Sequence, residues 1–201
     1  MAYRKTSATE ARKDARRKLI LDAATRLFGS YGYHATTVPM IVAEANSSVG
    51  SFYAHFRNKE DIFAATLKTL GEKVTEVMHQ ARTSQSDPIE GIRCAVKAVF
   101  LYLARNPQEA RILIVESSGL SPRLEQVRRE LLSQHVGQVR QTLESNPAAF
   151  TEINPLIAAR CLVGAVFESL CSWLEQSSID RPPVAEVARA VADYNTRAIQ
   201  C

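Results

Sequence analysis

The chain has 201 residues, of which 46% are apolar, so it is long enough to bury a substantial core. Its four cysteines lie far apart without a C-x-x-C pair, which argues against a disulfide framework or a zinc site and favours a reducing, cytoplasmic setting. Residues 1–60 contain 10 Lys and Arg against 5 Asp and Glu, whereas residues 61–201 contain 15 against 16. One end of the molecule is therefore expected to meet a polyanion, although charge alone leaves a solubilising basic tail as an alternative.

Apolar residues recur at intervals of three and four along almost the whole chain, which predicts an all-α protein of about nine helices. A first helix is predicted from about Thr9 to Gly29, and two short helices follow at 37–45 and 48–55, joined by a turn at Asn46-Ser47. Three helices on this scale match a helix-turn-helix head. The inward stripe of the first helix is expected to contain Leu19, Ile20, Ala23, Ala24, Leu27 and Phe28.

The rest of the chain is predicted to form a helical body. Asn58 is expected to cap a long linking helix over 58–82, and Pro182-Pro183 opens a last helix over about 183–200. The domains are therefore a DNA-binding head with a basic arm at 1–57 and a body at 58–201. Four further helix starts carry a capping residue directly before proline: Asp87-Pro88, Asn106-Pro107, Ser121-Pro122 and Asn154-Pro155.

The second short helix begins with the small side chains that would let a helix approach the floor of a DNA groove. Ser48 can cap it, and Val49, Gly50 and Ser51 form a first turn that can approach a groove floor closely. Phe52 and Phe56 are spaced to bury together, which leaves Tyr53 and His55 on other faces, able to bond phosphates. An ordinary partly buried tyrosine and a surface histidine are the alternatives. Lys59 is electrostatically misplaced in the first turn of the linking helix, and a phosphate would resolve that misfit.

The stretch from residue 17 to about 63 resembles the TetR family of transcriptional regulators. The resemblance is carried without a gap by Arg17, Ile20, Ala23-Ala24, Phe28, Gly32-Tyr33, Thr36-Thr37, Ile41, Ala45, Ser48 to Tyr53, His55-Phe56 and Asn58-Lys59-Glu60. It implies that Thr36 and Thr37 contact the DNA backbone, that Ser48, Val49, Gly50 and Ser51 enter the major groove, and that Tyr53, His55 and Lys59 bind phosphates. Asn46-Ser47 departs from the family's Gly-Val turn, and Asn tolerates the left-handed conformation that the glycine would adopt.

Few direct hydrogen bonds to the base edges are expected. Residues 48–55 contain no Arg, Lys, Asn or Gln, the side chains that pair bidentately with guanine or adenine. Sequence preference should therefore come from hydroxyl groups, from Val49 against a thymine methyl and from DNA shape. Arg4 and Lys5 are candidates for a minor groove.

The body is expected to form a homodimer. The segment from Leu156 to Leu174 is apolar nearly all round, and the last helix carries a stripe of small residues, so both can pack against a partner chain. A symmetric dimer would bind a near-palindromic operator in double-stranded DNA. Burial of both helices within a monomer is the alternative. The predicted interface residues are Cys161, Ala165, Glu168, Val184, Val187, Ala188 and Val191.

The resemblance also implies a cavity for a small-molecule effector among the middle helices. His135, with Leu131 and Val139 four residues away on either side, is the polar group expected to point inward, although a satisfied core histidine is the alternative. The other candidates are Phe100, Val115, Phe167 and Trp173.

Other classes of function fit less well. The most apolar run, from Cys161 to Cys171, contains Glu168 and falls short of the roughly 20 residues that span a bilayer, so no membrane partner is expected. No catalytic constellation, metal motif or cofactor site is visible. The expected function is a repressor that releases its operator when ligand binds. A helical carrier or sensor bundle without DNA function is the alternative, and it leaves the basic head unexplained.

Overall fold

A computed structural model describes residues 7–150, 153–177 and 179–200. Within these ranges the chain forms nine α-helices and no strand, which confirms the all-α prediction. A π-helical turn spans Arg111–Glu116, and a short 3₁₀ turn spans Pro147–Ala149. The helices are α1 Ser7–Ala35, α2 Val38–Glu44, α3 Val49–Tyr53, α4 Lys59–Thr83, α5 Pro88–Arg105, α6 Pro107–Ala110, α7 Pro122–Ser145, α8 Pro155–Glu175 and α9 Val184–Arg197.

The residues that precede prolines mark helix starts as predicted. The side chains of Asp87, Ser121 and Asn154 each accept a hydrogen bond from a backbone N–H in the first turn of α5, α7 and α8. Asn106 differs, because its side-chain amide donates to the carbonyl oxygen of Tyr102 at 2.8 Å. Asn106 therefore closes the end of α5, and its side chain does not cap α6.

The first helix is longer than predicted. It continues past Gly29 to Ala35, with a break at Gly32, where φ is 81° and ψ is 170°. A residue without a Cβ adopts this conformation at low cost. Ile20 and Phe28 are fully buried, but Leu19 is 52% exposed, so its assignment to the inward stripe is wrong. The buried face is centred on Ile20 and Ala24, and Leu19 lies beyond its edge.

Two compact units make up the chain, Met1–Leu67 and Lys68–Cys201, and the boundary falls inside α4. The first unit therefore includes the opening turns of α4 as well as α1, α2 and α3. Its core is aromatic: the Phe28 and Phe63 rings meet edge to face with centroids 4.8 Å apart, and both side chains are fully buried.

In the second unit, α9 packs along α5. Val184, Val187 and Val191 lie against a core cluster that also contains buried Ala188 and, from α5, residues such as Phe100. Ala188 is buried within the chain and so is removed from the predicted dimer interface, whereas the place of the three partly buried valines in that interface stays a prediction. Their apolar surface already serves the fold of the same chain, because the stripe of small side chains lets α9 approach α5.

The opposite situation holds for α8. One side of this helix is buried, for example Leu162 and Leu170, whereas Ile157 is 57% exposed and Gly164 is open to solvent. Among the described helices α8 alone is long and apolar enough to cross a membrane by length and composition, a test that the core helix of a folded domain also passes. Only 28% of its most apolar stretch is buried. A large part of α8 therefore lacks a partner within the chain.

Candidate nucleic-acid interface and ligand cavity

A left-handed turn joins α2 to α3. Asn46 has φ of 45° and is the one non-glycine residue with positive φ in the described part of the chain. The N–H of Ser47 then donates to the Val42 carbonyl oxygen at 2.8 Å, and Ser48 begins α3 by accepting a hydrogen bond from the Ser51 N–H at 3.1 Å. The predicted turn and cap are both confirmed. The Ser47 hydroxyl, however, is buried without a hydrogen-bond partner among the described residues.

The short helix α3 has one anchored face and one presented face. Phe52 is fully buried and Phe56 is 2% exposed, with ring centroids 5.8 Å apart, as predicted. Val49 and Tyr53 are 50% and 57% exposed on the opposite side. A Cβ built on Gly50 would meet only the Ser48 hydroxyl, at 4.0 Å. The fold therefore leaves room for a side chain at residue 50. Because glycine has none, nothing protrudes from the exposed face of α3 at this position.

The two threonines before α2 have different environments. Thr37 is exposed and caps α2 weakly, since its hydroxyl lies 3.4 Å from the Met40 nitrogen. Thr36 is fully buried, and its hydroxyl donates to the Gly32 carbonyl oxygen at 2.8 Å. The assignment of the Thr36 side chain to the DNA backbone is therefore wrong. It closes the end of α1 where Gly32 breaks the helix.

Lys59 has a partner within the first unit. Its Nζ donates to the carbonyl oxygens of Tyr33 at 2.8 Å and His34 at 3.3 Å, and it lies 4.4 Å from the Tyr33 ring centroid. Burial lowers the pKa of Lys59. The cation thus sits at the negative end of α1, which corrects the interpretation that a phosphate is needed to explain it. An ammonium has three N–H donors, so a phosphate contact at Lys59 stays a prediction.

Basic residues of α1 lie beside the helix-turn-helix. The Arg16 Nη1 donates to the Asn46 carbonyl oxygen at 3.4 Å, and the Arg17 guanidinium carbon lies 5.2 Å from the Phe56 ring centroid. The pKa of His55 is lowered, first by burial and then by the charges of Lys13 and Arg17. Lys13, Arg16 and Arg17 were not among the predicted DNA contacts, although their clustering is visible in the sequence. Arg4 and Lys5 lie outside the described residues.

A cavity of about 130 Å³ lies within the second unit. Side chains from α4, α5, the π-helical turn, α7, α8 and α9 line it, and most are aliphatic. The π-helical turn contributes Leu113 and Ile114, which matters because π-helical turns are rare and are frequent at functional sites. A Cβ on Gly71 would lie 2.5 Å from the Leu131 side chain, so α4 and α7 approach each other closely at the cavity wall.

Of the residues predicted to bind a ligand, four line this cavity: Leu131, His135, Val139 and Phe167. The other three do not line it. Phe100 is fully buried in the core, and Val115 is 45% exposed. Trp173 is fixed elsewhere, because its Nε1 donates to the Pro182 carbonyl oxygen at 3.0 Å and its ring packs under Arg181.

The polar residues of the cavity wall are Arg82, Arg128, His135, Gln138 and Asn195, and of these only His135 was predicted from the sequence. Two buried atoms, His135 Nδ1 and Asn195 Oδ1, have no hydrogen-bond partner in the described part of the chain. Burial lowers the pKa of His135, so its ring is neutral at pH 7. The cavity is therefore apolar with a few unmet polar groups, which is typical of a small-molecule site.

A capped recognition helix, anchored by Phe52 and flanked by arginines, together with a cavity in a second unit, defines a helix-turn-helix DNA-binding regulator. Residues 20–66 match the family model described as bacterial regulatory proteins, tetR family. Residues 20–66 therefore carry a DNA-binding segment of the tetR-family type. The chain is also 26% identical to the HTH-type transcriptional repressor NicS of Pseudomonas putida, over the full length of both chains.

Solved structures share the fold. SmeT, the repressor of the Stenotrophomonas maltophilia multidrug efflux pump SmeDEF, superposes with a TM-score of 0.77 at 23% identity, over 94% of this chain and 92% of SmeT. SmeT is also known as a complex with triclosan. FadR of Bacillus subtilis in complex with stearoyl-CoA superposes with a TM-score of 0.78 at 20% identity, over 91% of this chain and 99% of FadR. NicS, SmeT and FadR are each named as transcriptional repressors or regulators.

Proposed function

We propose that this regulator is a cytoplasmic repressor that binds a near-palindromic operator as a homodimer and is released by a small molecule in the cavity. The observation that carries the proposal is the presented face of α3, where Val49 and Tyr53 are exposed above a buried Phe52. Relatives support the regulatory part, since NicS and SmeT are named repressors, and SmeT and FadR have been solved with small molecules.

The DNA contacts divide into two sets. Ser48, Val49, Gly50 and Ser51 would face the base edges, where small side chains permit close approach but few bidentate contacts. Phosphates would be held by Thr37, Tyr53, His55, the third N–H of Lys59, and Arg16 and Arg17 of α1, with Arg4 and Lys5 in a minor groove. Affinity should therefore depend steeply on salt, because phosphate contacts release counterions.

The dimer would form through the unpartnered side of α8. Ile157, Cys161, Gly164 and Glu168 are exposed and recur at helical spacing, so they share one face of the helix. Ala165, at the edge of this face, is partly buried. On α9 the residues that α5 leaves exposed include Ala190 and Tyr194, and Tyr194 is 66% exposed. A symmetric pairing of these faces would bury the apolar surface of α8 and set two recognition helices about 34 Å apart.

Ligand and DNA would be coupled through α4. This helix lines the cavity with Gly71, Val74, Met78 and Arg82, and the same helix begins in the first unit at Lys59. A ligand that shifts α4 at the cavity would therefore change the position of the DNA-binding unit. A coupling of about 2.7 kcal/mol lowers operator affinity roughly 100-fold, which lies within the usual allosteric range.

The proposal is tested with DNA from the region upstream of the gene, by fluorescence anisotropy over a salt series. We expect tight binding to one near-palindromic segment, at two chains per site, and a steep loss of affinity with salt. Binding that shows no preference for any upstream segment over unrelated DNA would contradict the operator. A chain that binds apolar ligands but no DNA would instead support the carrier alternative.

A further inference from the structure

The cavity has a polar end and an apolar end. Arg82 packs beside Gly91 of α5. Ile92, which follows Gly91, belongs to the same core cluster as Leu162. The Leu162 carbonyl oxygen in turn accepts a hydrogen bond from the Asn195 side chain. Arg82 and Asn195 therefore lie at the same end. At the other end Arg128 lies over the Phe167 ring at 5.6 Å. Ten residues of α7 separate Arg128 from Gln138, which is about 15 Å along a helix.

The two arginines of the cavity differ in their charge balance. Arg128 is paired with Glu125, its Nη2 lying 3.1 Å from the carboxylate. Arg82 has no carboxylate partner in the described part of the chain. Its Nη1 donates to the Gln138 carbonyl oxygen at 3.3 Å and to the Thr142 hydroxyl at 3.0 Å, and its Nη2 lies 3.3 Å from His79. No aspartate or glutamate occurs among the described residues that line the cavity.

The position of Arg82 is built into the fold. A Cβ at Gly91 would lie 2.9 Å from the Arg82 carbonyl oxygen and 3.2 Å from its Cγ, so α5 needs a glycine there for α4 to pass. The bonds to Gln138 and Thr142 then hold the guanidinium against α7. Its Nε–H has no partner among the described residues, and a guanidinium offers five donors in a planar fork suited to a carboxylate.

The neighbouring side chains make this end polar but supply no negative charge. Asn195 is 1% exposed, and its amide orientation is fixed because Nδ2 donates to Leu162, which leaves Oδ1 without a partner. His135 lies one helical turn before Gln138 and has an unpartnered Nδ1. Buried polar atoms are costly when unpaired, so a ligand group or water placed beside them is stabilised.

We propose that the effector is an organic acid, with its carboxylate at Arg82 and an apolar body extending toward Phe167. This inference rests on the proposed function, since it names the chemical class of the molecule that the cavity would take. An uncompensated half-buried guanidinium disfavours cationic ligands and gains a charge-assisted pair from an anion. The aliphatic walls between the two ends supply the remaining contact area.

The test measures binding to the full chain without DNA by isothermal titration calorimetry. The probes are decanoate, methyl decanoate and decylamine, together with para-butylbenzoate, its methyl ester and para-butylbenzylamine. At least one acid should bind about tenfold or more tightly than its ester and its amine. An amine or ester that matches both acids, or failure of both acids to bind, would overturn the proposal.

Variants separate charge from structure. Arg82→Gln should lose the preference for the acid while keeping the affinity for the ester. Arg82→Lys, which keeps the positive charge, should retain part of the preference for the acid. Arg129→Gln is the matched control, because Arg129 is exposed on α7 and does not line the cavity. An acid preference that survives Arg82→Gln would exclude Arg82 as the anion site. An acid that binds but leaves operator affinity unchanged would contradict the release mechanism and leave the ligand class standing.

Discussion

The Lys59 ammonium donates a hydrogen bond of 2.8 Å to the Tyr33 carbonyl oxygen, across 26 residues of sequence. This contact ties the start of α4 to the end of α1, next to the helix-turn-helix. A lysine at this position therefore serves the fold of the first unit, and any phosphate contact that it makes comes in addition.

Replacing Lys59 should reveal this structural role. Lys59→Ala removes two charge-assisted hydrogen bonds from a partly exposed site, so the free energy of unfolding of the first unit should fall by about 1 kcal/mol. Urea unfolding of the DNA-free chain measures the change. Lys68→Ala, at an exposed position of the same helix, is the control and should have no effect. A stability equal to that of the control would leave Lys59 with a DNA role alone.

Ser47 should limit the stability of the turn. Its hydroxyl is buried without a partner among the described residues, and an unpaired buried polar group costs about 1–3 kcal/mol. Ser47→Ala removes the hydroxyl, and Ser47→Val adds apolar contact as well, so both variants should raise the melting temperature. Unchanged or lower melting temperatures in both would show that the hydroxyl is satisfied, for example by water.

Gly50 should separate DNA binding from stability. Nothing in the fold crowds a Cβ there, and alanine favours a helix over glycine by up to about 1 kcal/mol. Gly50→Leu should therefore leave thermal stability equal or higher while operator affinity falls about tenfold or more, because the side chain would meet the groove floor. Gly137→Leu, at an exposed helical glycine in α7, is the control for DNA binding. Full operator affinity in Gly50→Leu would show that the first turn of α3 does not contact the groove floor.

The dimer should fail when the exposed face of α8 is blocked. A Cβ on Gly164 meets nothing within 4 Å, and the same is true of Gly137 on α7. Gly164→Arg should therefore fold normally but sediment as a monomer at micromolar concentration and lose about 10- to 100-fold in operator affinity. Gly137→Arg should remain a dimer. Dimers in both variants would place the interface elsewhere.

Acid should weaken the second unit through His135. Burial lowers the pKa of this histidine below its usual 6.5, so the unfolded chain binds a proton more readily than the folded one. Stability is therefore greatest above about pH 6.5 and falls as the pH drops toward the lowered folded-state pKa. Thermal unfolding from about pH 7.5 to 5.5 measures this decline. His135→Leu should flatten it and His34→Gln should not; an equal slope in all three chains would remove His135 as the cause.

Local chemistry explains what the sequence predicted correctly. The caps at Ser48 and Asn58, the left-handed Asn46 and the buried pair Phe52 and Phe56 all depend on residues within four positions of one another. Leu131, His135 and Val139 line the cavity as expected, because the inward stripe of α7 shows in its own periodicity.

The errors involve contacts between distant segments. The small residues of α9 fit either a partner chain or α5, and periodicity does not distinguish these surfaces. Thr36 is polar and lies beside Thr37 in the predicted DNA-contacting segment. Its side chain is nevertheless buried, because its hydroxyl donates to the Gly32 carbonyl oxygen where α1 breaks. Arg82 and Asn195 reach the cavity from α4 and α9, which are far apart in the sequence. Such partners are visible only when the helices are assembled.

The winding of the π-helical turn Arg111–Glu116 also affects what the cavity can recognise. A π-helix makes i→i+5 bonds and holds more residues per turn than an α-helix, so removing one residue would restore regular α-helical winding. Residues beyond the deletion would then rotate by about 100° around the helix axis. Leu113 and Ile114 would no longer present the same faces to the cavity. Ligand selectivity among relatives can therefore diverge through a one-residue insertion or deletion here, without any substitution in the cavity wall.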